Sequence, residues 1–347
     1  NMKKRNLSAK KKIHNFYLEK LNNPKIKRIY IEFEKNLRKF NLSKFSIAVS
    51  GGEDSMALAF LAKCHSIKKN LNYLYFTVDH KLRPTSTKEA IQTKQKLKKF
   101  GIICEILTWK NNKDFSNLQA KAREKRYELI FKQCLKNKVN LVLTAHQKND
   151  LYENFFIRLL RGSGLKGLSS FGETIKEEES NIIILRPLIK FEKKHLIYIS
   201  KNVFKFFIED PSNQNLNFQR SRIRKLIFDL NKEGLDKKKF NLTIRNLKSS
   251  NNSINFYVTK NIQDNAKFLK KNNTYILNKP FFSQSEEVIF RSFSTVLKKI
   301  SSRYYPSRGK SISDSILKIN STKYKKFTLG GCYVEKISET ILITKEN

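Results

Sequence analysis

Short apolar runs alternate with amphipathic segments through the first two thirds of the chain. The apolar runs predict buried strands at Phe45 to Val49, Leu71 to Val78, Ile102 to Trp109, Leu141 to Ala145 and Ile182 to Leu185. Between them, apolar residues at helical spacing predict helices near Ile29 to Leu42, Met56 to Leu61, Ser86 to Phe100, Leu118 to Leu135, Leu151 to Leu160 and Glu192 to Asn202. Strands that alternate with helices in this way predict an α/β fold with a doubly wound, Rossmann-like parallel sheet.

The last third of the chain has a different pattern. Helical spacing predicts helices over Ser253 to Lys271, Ser285 to Ile300 and Ser311 to Ile319, and two strands, Phe327 to Val334 and Thr340 to Thr344, flank a turn at Ser338-Glu339. We therefore expect three parts: a basic extension over 1–26, a catalytic α/β domain over 27–215, and a mainly helical domain with a C-terminal β hairpin over 216–347. The boundary is placed in the turn-rich stretch that ends in Asp210-Pro211-Ser212-Asn213.

The segment Ser50-Gly51-Gly52-Glu53-Asp54-Ser55 joins the first predicted strand to a helix. Two glycines let the backbone approach a ligand, and the start of the following helix attracts anions, so this turn is a candidate phosphate site. The Lys-Ser/Thr pair of a Walker loop is absent, because Glu53 and Asp54 follow the glycines. A carboxylate beside phosphate indicates a bridging metal ion, with Asp54 as its ligand and Asp79 or Asp150 as further candidates. A simple connecting turn is the alternative interpretation.

Further polar residues follow the other predicted strands. Asp79 and His80 come directly after the second strand, and ligands of open α/β sheets bind beyond the carboxyl ends of the strands. The loop that starts at Arg161 is basic and rich in glycine, typical of either a phosphate contact or a solvated connector. Arg220 and Arg224 fall on one face of a predicted helix, which can hold a nucleic-acid backbone or face solvent.

The net charge narrows the choice of partner. Among 347 residues there are 71 Lys+Arg and 30 Asp+Glu, a formal charge of +41 at pH 7. So basic a chain repels itself unless it works on a polyanion, which favours a nucleic acid, although compositional drift towards Lys and Asn is an alternative. Neither a membrane span nor a secretory signal is apparent in the pattern, so we expect a cytoplasmic enzyme without a membrane partner. The four cysteines, Cys64, Cys104, Cys134 and Cys332, are too far apart for a zinc or disulfide pattern.

Several motifs occur in an order that resembles bacterial tRNA(Ile)-lysidine synthetases, which belong to the pyrophosphate-loop (PP-loop) ATPases. The matching segments are Ser50 to Ser55, Val78 to Arg83, Ala120 to Tyr127, Ala145-His146 with Asp150 and Glu153, Leu160 to Leu168, Arg186-Pro187-Leu188, Glu209 to Asn213, and Arg220 with Ile223-Arg224. They span residues 45 to about 225, and beyond them only Leu329 to Cys332 is similar to the family. The chain departs from the family pattern at Asn149 and Asn154, where one carboxylate is lost, which makes Asp150 and Glu153 the preferred pair of acids to hold lysine.

The resemblance implies a concrete reaction with ATP and Mg²⁺ as cofactors. ATP adenylates oxygen-2 of the wobble cytidine of tRNA(Ile) with a CAU anticodon, and free L-lysine then displaces AMP to form lysidine. A homodimer is compatible with the resemblance, and domain 216–347 is expected to bind the tRNA. The implied catalytic residues are Asp54, Asp79, Arg123, Asp150 and Glu153. The implied ATP-binding residues are Ser50, Gly51, Gly52, Glu53, Asp54, Ser55, Asp79, His80 and Arg161, and those for tRNA are Arg220, Arg222 and Arg224.

Two other functions are compatible with parts of the sequence. A tRNA sulfurtransferase can share the same loop, but such enzymes usually need paired or reactive cysteines, which this chain lacks. A basic RNA-binding module with an inactive nucleotide fold is the other, and the intact segment Ser50 to Ser55 argues against it. ATP turnover or pyrophosphate exchange distinguishes that module from either enzyme.

Overall fold

The computed structural model describes residues 2–40, 44–109, 118–176, 180–209, 216–301, 309–321 and 325–346. The chain divides into two compact units, Asn1–Leu235 and Asp236–Asn347. The division falls later than the boundary that we expected after residue 215. The expected linker residues 210–213 lie outside the described residues.

The first unit contains a six-stranded sheet and the helices connected to it. Its strands are β1 (Lys44–Ala48), β2 (Asn72–Asp79), β3 (Cys104–Thr108), β4 (Leu141–Leu143), β5 (Thr174–Lys176) and β6 (Ile183–Leu185). Its helices are α1 (Met2–Lys20), α2 (Pro24–Arg38), α3 (Glu53–Lys69), α4 (Ser86–Lys99), α5 (Leu118–Lys136), α6 (Lys148–Leu159), α7 (Leu165–Ser169), α8 (Lys193–Val203) and α9 (Gln219–Lys232).

The strand order in this sheet is β3-β2-β1-β4-β6-β5, and all neighbours are parallel except β5, which runs antiparallel to β6. Apolar side chains alternate between the two faces: Tyr73 and Tyr75 of β2 join one buried cluster, whereas Phe76 joins another. Both faces are therefore covered, which confirms the predicted doubly wound fold. Chain order reverses between β1 and β4, and such a switch point is where open α/β sheets bind ligands.

The N-terminal segment is part of this core. We expected residues 1–26 only as a basic extension without defined secondary structure from their pattern, yet α1 and the start of α2 are helical. Tyr17 is fully buried and its hydroxyl donates a hydrogen bond of 2.9 Å to the Phe100 carbonyl. Asn23 caps α2 by accepting from the Lys25 and Ile26 N–H groups, and Pro24 fits the first turn because it has no N–H to satisfy.

The second unit combines helices with an antiparallel sheet. It consists of α10 (Lys237–Asn265), β7 (Ala266–Leu269), β8 (Thr274–Leu277), α11 (Glu286–Ser301), α12 (Gly309–Asn320), β9 (Lys326–Leu329), β10 (Cys332–Ile337) and β11 (Thr340–Lys345), with short 3-10 turns at Lys270–Asn272 and Lys279–Phe282. The sheet order is β7-β8-β11-β10-β9. Phe293, Val296 and Ile300 of α11 belong to the same buried cluster as Val334 and Ile343 of the sheet.

One prediction for this unit was wrong, and another was confirmed in part. The helix expected over Ser253 to Lys271 begins earlier and ends at Asn265, where the chain passes directly into β7. The expected hairpin around Ser338-Glu339 is present as β10 and β11. The predicted strand Phe327 to Val334 is divided by a turn at Gly330-Gly331 into β9 and β10, and β8 pairs with β11, so the hairpin is part of a five-stranded sheet. None of the described helices combines the length and apolar character that a bilayer span requires.

Candidate active site at the carboxyl edge of the parallel sheet

The loop after β1 has the geometry of an anion site. Gly51 has φ +88°, and Gly52 is the extended residue just before α3, so no side chain blocks the start of that helix. Ser55 fixes the loop, because its Oγ accepts from the Ser50 N–H at 3.1 Å and donates to the Gly52 carbonyl at 2.9 Å. The loop is thus held in shape by its own side chains.

Two residues outside this motif pack closely on Gly51. A β carbon there would clash with the Thr93 hydroxyl and would lie 2.9 Å from Ile208 Cδ1. The Ile208 N–H also donates to the Gly51 carbonyl at 3.0 Å. Both the backbone angle and the space around it therefore require glycine at position 51.

Asp54 lies in the first turn of α3. Burial raises the pKa of its carboxyl to about 8, and the charges of Asp150 and Glu53 add to the rise, whereas Lys193 and Arg224 oppose it. Its Oδ1 atom is buried and has no hydrogen-bond partner in the described part of the chain. A buried, unpaired carboxylate oxygen beside a second carboxylate is suited to a divalent cation.

The acid that interacts with Asp54 comes from the neighbouring strand connection. Asp150 lies in the first turn of α6, after β4, and its Oδ2 accepts from the Gln147 N–H at 2.9 Å. The ends of β1 and β4 thus bring the two carboxylates together at the switch point of the sheet.

Among the described residues no group of three or more His, Cys, Asp or Glu could hold a metal ion. Mg²⁺ commonly uses one or two carboxylates together with substrate phosphates, so the Asp54–Asp150 pair fits it.

Glu153, the other member of the expected acid pair, is bound to an arginine. Its Oε1 accepts from Arg224 Nε at 2.7 Å, and its Oε2 lies 3.4 Å from Arg224 Nη2. Glu153 is almost fully buried, and burial raises its pKa while the hydrogen bond and charge of Arg224 oppose the rise. The pair joins α6 to α9, which places Arg224 at the same carboxyl edge of the sheet as Glu153.

Asp79 is the last residue of β2, one residue later than the predicted end of the strand, and His80 follows it. Asp79 is buried and accepts two hydrogen bonds, from the Lys81 N–H at 3.0 Å and from the Thr87 hydroxyl at 2.7 Å, which shape the loop before α4. His80 Nε2 accepts from Arg126 Nε at 3.2 Å. Burial, with the charge of Arg126, lowers the pKa of His80 to about 4, so this imidazole is neutral at physiological pH.

A group of arginines surrounds His146, which lies between β4 and α6. Burial lowers the pKa of His146 well below its usual range, and the charges of Arg186, Arg123, Arg220 and Arg126 lower it further. Arg186 is itself buried, with its guanidinium 4.1 Å from the centre of the Phe171 ring, and burial lowers its pKa to about 10. Four cations from α5, α9 and the end of β6 thus create a positive field suited to phosphate.

The remaining predicted residues lie at the exposed side of this edge. Arg123 stacks over Tyr127 at 5.4 Å, and exposed Arg161 donates to Gln219 Oε1 at 3.1 Å. Arg222 is exposed, and its Nη1 donates to the Leu216 and Asn217 carbonyls at 3.0 and 2.8 Å. The charge of Arg220 contributes to the positive field around His146. Arg222 has a different role, because its hydrogen bonds hold the segment that precedes α9.

Sequence reasoning did not assign roles to several residues of this edge. His146 and Arg186 occur in motifs that resemble the family but carried no predicted role, and Arg126 and Lys193 were not singled out as site residues. Lys193 Nζ lies 2.6 Å from Glu53 Oε1. These contacts join segments that are far apart in sequence, so the local pattern held no signal for them.

Comparisons with known proteins identify the class and then the family. Residues 23–231 match the model of the PP-loop domain. The chain is 34% identical over 331 residues to the tRNA(Ile)-lysidine synthase of Rickettsia typhi, covering 92% of this chain and 74% of that protein. It is 32% identical over 317 residues to the Wolbachia pipientis wMel protein of the same name, covering 90% and 73%. This chain belongs to the tRNA(Ile)-lysidine synthase family, and the prediction of an ATP-binding PP-loop ligase is confirmed.

A solved structure shows the same fold. A U34-tRNA thiolase from Methanococcus maripaludis, determined with its [4Fe-4S] cluster, matches with a TM-score of 0.53 and 18% identity, over 65% of this chain and 79% of that one. At this level of identity the similarity concerns the fold alone.

Proposed function

We propose that this protein ligates lysine to the wobble cytidine of tRNA(Ile) with a CAU anticodon, at the expense of ATP. The observation that carries the proposal is the meeting of Asp54 and Asp150 at the PP-loop, next to the arginines around His146. Carboxylates can bind Mg²⁺ and the ammonium group of lysine, and arginines can bind the phosphates of ATP. One edge of the sheet therefore has groups that can bind both reactants. Family membership supports the same conclusion.

In the proposed first step, oxygen-2 of the cytidine attacks the α phosphorus of ATP, and the bond to the β-phosphate oxygen breaks. Pyrophosphate leaves with the electron pair of that bond. The N–H groups at the start of α3 and the loop fixed by Ser55 hold the phosphates, with Arg123 and Arg161 as counter-charges. Mg²⁺, held by Asp54, would neutralise charge on the phosphates.

In the proposed second step, the lysine amine attacks carbon-2 of the adenylated cytidine, and AMP leaves. A lysine ammonium must first lose a proton, and Asp150 is the carboxylate that we assign to bind and deprotonate it. Glu153 is held by Arg224, so we assign it to orient this side of the site rather than to accept the proton. We also propose that the enzyme works in the cytoplasm, where tRNA, ATP and lysine meet.

The state of the cysteines argues against a sulfurtransferase. Cys64, Cys104, Cys134 and Cys332 are all free thiols and all buried. Burial raises the pKa of Cys104 to about 12 and also raises those of Cys64 and Cys134, so these groups stay protonated. A sulfur carrier needs an accessible thiolate, and none of these three provides one at neutral pH.

Exchange of labelled pyrophosphate into ATP tests the order of these steps. The proposal predicts exchange that needs tRNA but no lysine, because adenylation precedes attack by the amine. Asp54→Ala and Ser50→Ala should abolish exchange while circular dichroism shows an intact fold. Exchange that requires lysine and not tRNA would mean that the protein activates the amino acid, and would contradict the proposal.

A further inference from the structure

The PP-loop motif brings two acids and no cation to the phosphate site. Glu53 and Asp54 occupy the first turn of α3, where carboxylates repel the phosphates of ATP. Cations from other segments must therefore balance the charge. Burial raises the pKa of Asp54 to about 8, and the cations that oppose this rise are Lys193 and Arg224.

These two cations have different surroundings. Arg224 is bound through Nε and Nη2 to Glu153. Glu153 is buried, so its carboxylate would be left without a counter-charge if Arg224 bound another group. Among the described residues, Lys193 forms one ion pair, at 2.6 Å to Glu53 Oε1, and its side chain is 37% exposed. An ammonium group carries three donors, so the ion pair with Glu53 leaves Lys193 the capacity to bind other oxygens.

The backbone that carries Lys193 is fixed against the loop. Lys193 is the first residue of α8, and further along this helix Ser200 Oγ donates to the Glu53 carbonyl at 2.5 Å. Shortly after α8 the Ile208 N–H donates to the Gly51 carbonyl. The connection from α8 to Ile208 is thus anchored twice on the PP-loop, which keeps the Lys193 ammonium near the start of α3.

We propose that Lys193 is an ATP ligand that binds the pyrophosphate part of the nucleotide, with Glu53 holding its ammonium between turnovers. This inference rests on the proposed use of ATP. When ATP binds, Lys193 exchanges the Glu53 carboxylate for oxygens of the β and γ phosphates. As the bond between the α phosphorus and the β-phosphate oxygen breaks, Lys193 stabilises the negative charge that gathers on the leaving pyrophosphate.

A purely structural ion pair between α8 and α3 is the competing explanation, and the two make opposite predictions. If Lys193 binds phosphate, Lys193→Met weakens ATP binding, Lys193→Arg largely preserves it, and Glu53→Gln strengthens it, because that change releases the ammonium and removes a repulsive charge. If the pair is only structural, Lys193→Met and Glu53→Gln break the same contact and act in the same direction.

Lys194 provides a matched control. It is the next residue of α8 and also pairs with a glutamate, since its Nζ lies 3.0 Å from Glu192 Oε2, but its side chain is 74% exposed. Lys194→Met removes the same charge from the same helix without touching the PP-loop.

The experiment is calorimetric titration of each folded variant with ATP and with AMP, in the presence of Mg²⁺. Lys193→Met should raise the Kd for ATP about tenfold to a hundredfold, the effect of losing a charge-assisted hydrogen bond, and should change the Kd for AMP much less. Lys194→Met should bind both as the unaltered chain does. Equal loss of ATP and AMP binding, or weaker ATP binding in Glu53→Gln, would overturn the proposal.

This titration uses neither tRNA nor lysine, which separates the two proposals. Unchanged ATP binding in Lys193→Met would reject the role of Lys193 and leave the ligase reaction standing. A chain that binds ATP through Lys193 but adds no lysine to tRNA would reject the ligase reaction alone. Failure of the unaltered chain to bind ATP would contradict both.

Discussion

Arg224 and Glu153 form an ion pair in which Arg224 Nε lies 2.7 Å from Glu153 Oε1, and the Glu153 side chain is only 3% exposed. The pair fixes α9 on α6, inside the first unit. Removal of the guanidinium would leave a buried carboxylate without its counter-charge.

The first prediction concerns the stability that this pair provides. Arg224→Met should lower the free energy of unfolding by about 2 kcal/mol, a buried-pair value reduced because Arg224 itself is partly exposed. Arg224→Met combined with Glu153→Leu should recover part of the loss, since both charges are then gone. Urea unfolding measures each value.

Arg38 is the control, because it is 70% exposed and lies 3.1 Å from Glu34. Arg38→Met should lower the free energy of unfolding by less than about 0.5 kcal/mol. Equal costs for the two arginines would show that the pair has no special role.

The second prediction tests the close packing on the PP-loop. Gly51→Ala should lower the free energy of unfolding by about 2–4 kcal/mol, because it adds a clash with Thr93 and Ile208 to the cost of a positive φ. It should also weaken ATP binding. Gly234 has a similar φ of +95°, and a β carbon added there would meet nothing within 4 Å, so Gly234→Ala should show only the backbone cost of about 1 kcal/mol. The expectation fails if the two variants are equally stable.

The third prediction concerns the pH dependence of stability through Asp54. Its pKa in the folded protein, about 8, lies above the usual value, so the folded state holds a proton that the unfolded state has released. This carboxyl therefore makes folding less favourable as pH rises from about 4 towards 8, and below about 4 its contribution is absent. Asp54→Asn removes the titration.

Thermal unfolding of the protein without nucleotide or metal checks this sign. The stability of Asp54→Asn relative to the unaltered chain should be greater near pH 8 than near pH 5, by reason of the shifted pKa alone. A difference that is constant with pH, or that shrinks as pH rises, would show that burial does not shift this carboxyl upwards.

The fourth prediction concerns the arginines around His146 and follows from the proposed tRNA substrate. Arg220→Gln should reduce the slope of log Kd for tRNA against log salt by about 0.7–0.9, the value for one phosphate contact. Arg38→Gln, which removes an exposed arginine of α2, should leave the slope unchanged. Arg224 is less suitable for this test because its loss also disturbs Glu153. A slope that Arg220→Gln does not alter would place the phosphate backbone elsewhere.

The first unit was predictable because its local patterns agree with its packing. Apolar runs such as Phe45 to Val49 and segments at helical spacing lie close to the observed strands and helices, and parallel pairing follows from their alternation. The glycine motif also predicted, from local residues alone, the strand-turn-helix geometry of the candidate anion site.

The second unit was harder to predict because α10 and β7 join without a break. No glycine or proline occurs between Lys237 and Lys279 to mark the end of the helix, so helical spacing extended the predicted helix too far. Asn273, at φ +46°, was the available signal, since it ends the turn between β7 and β8 in a conformation that asparagine tolerates. The sheet itself depends on pairing of β8 with β11, a contact with no local signal.

Within the candidate site, the sequence predicted which residues take part but not which side chains they contact. Glu153 was assigned to lysine because it is acidic and close to Asp150 in sequence, whereas the structure shows it paired with Arg224. Thr93, Lys193 and Ile208 reach the PP-loop from three distant segments. Contacts of this kind arise from tertiary packing, which one sequence alone does not reveal.

The most direct test of the proposed reaction is the mass of the nucleosides in tRNA(Ile) with a CAU anticodon after incubation with the protein, ATP, Mg²⁺ and lysine. We predict that the wobble cytidine gains the mass of one lysine less one water, and that the protein with Asp54→Asn leaves it unchanged. An unmodified cytidine after incubation with protein that binds ATP, or a nucleoside that has gained sulfur, would contradict the account.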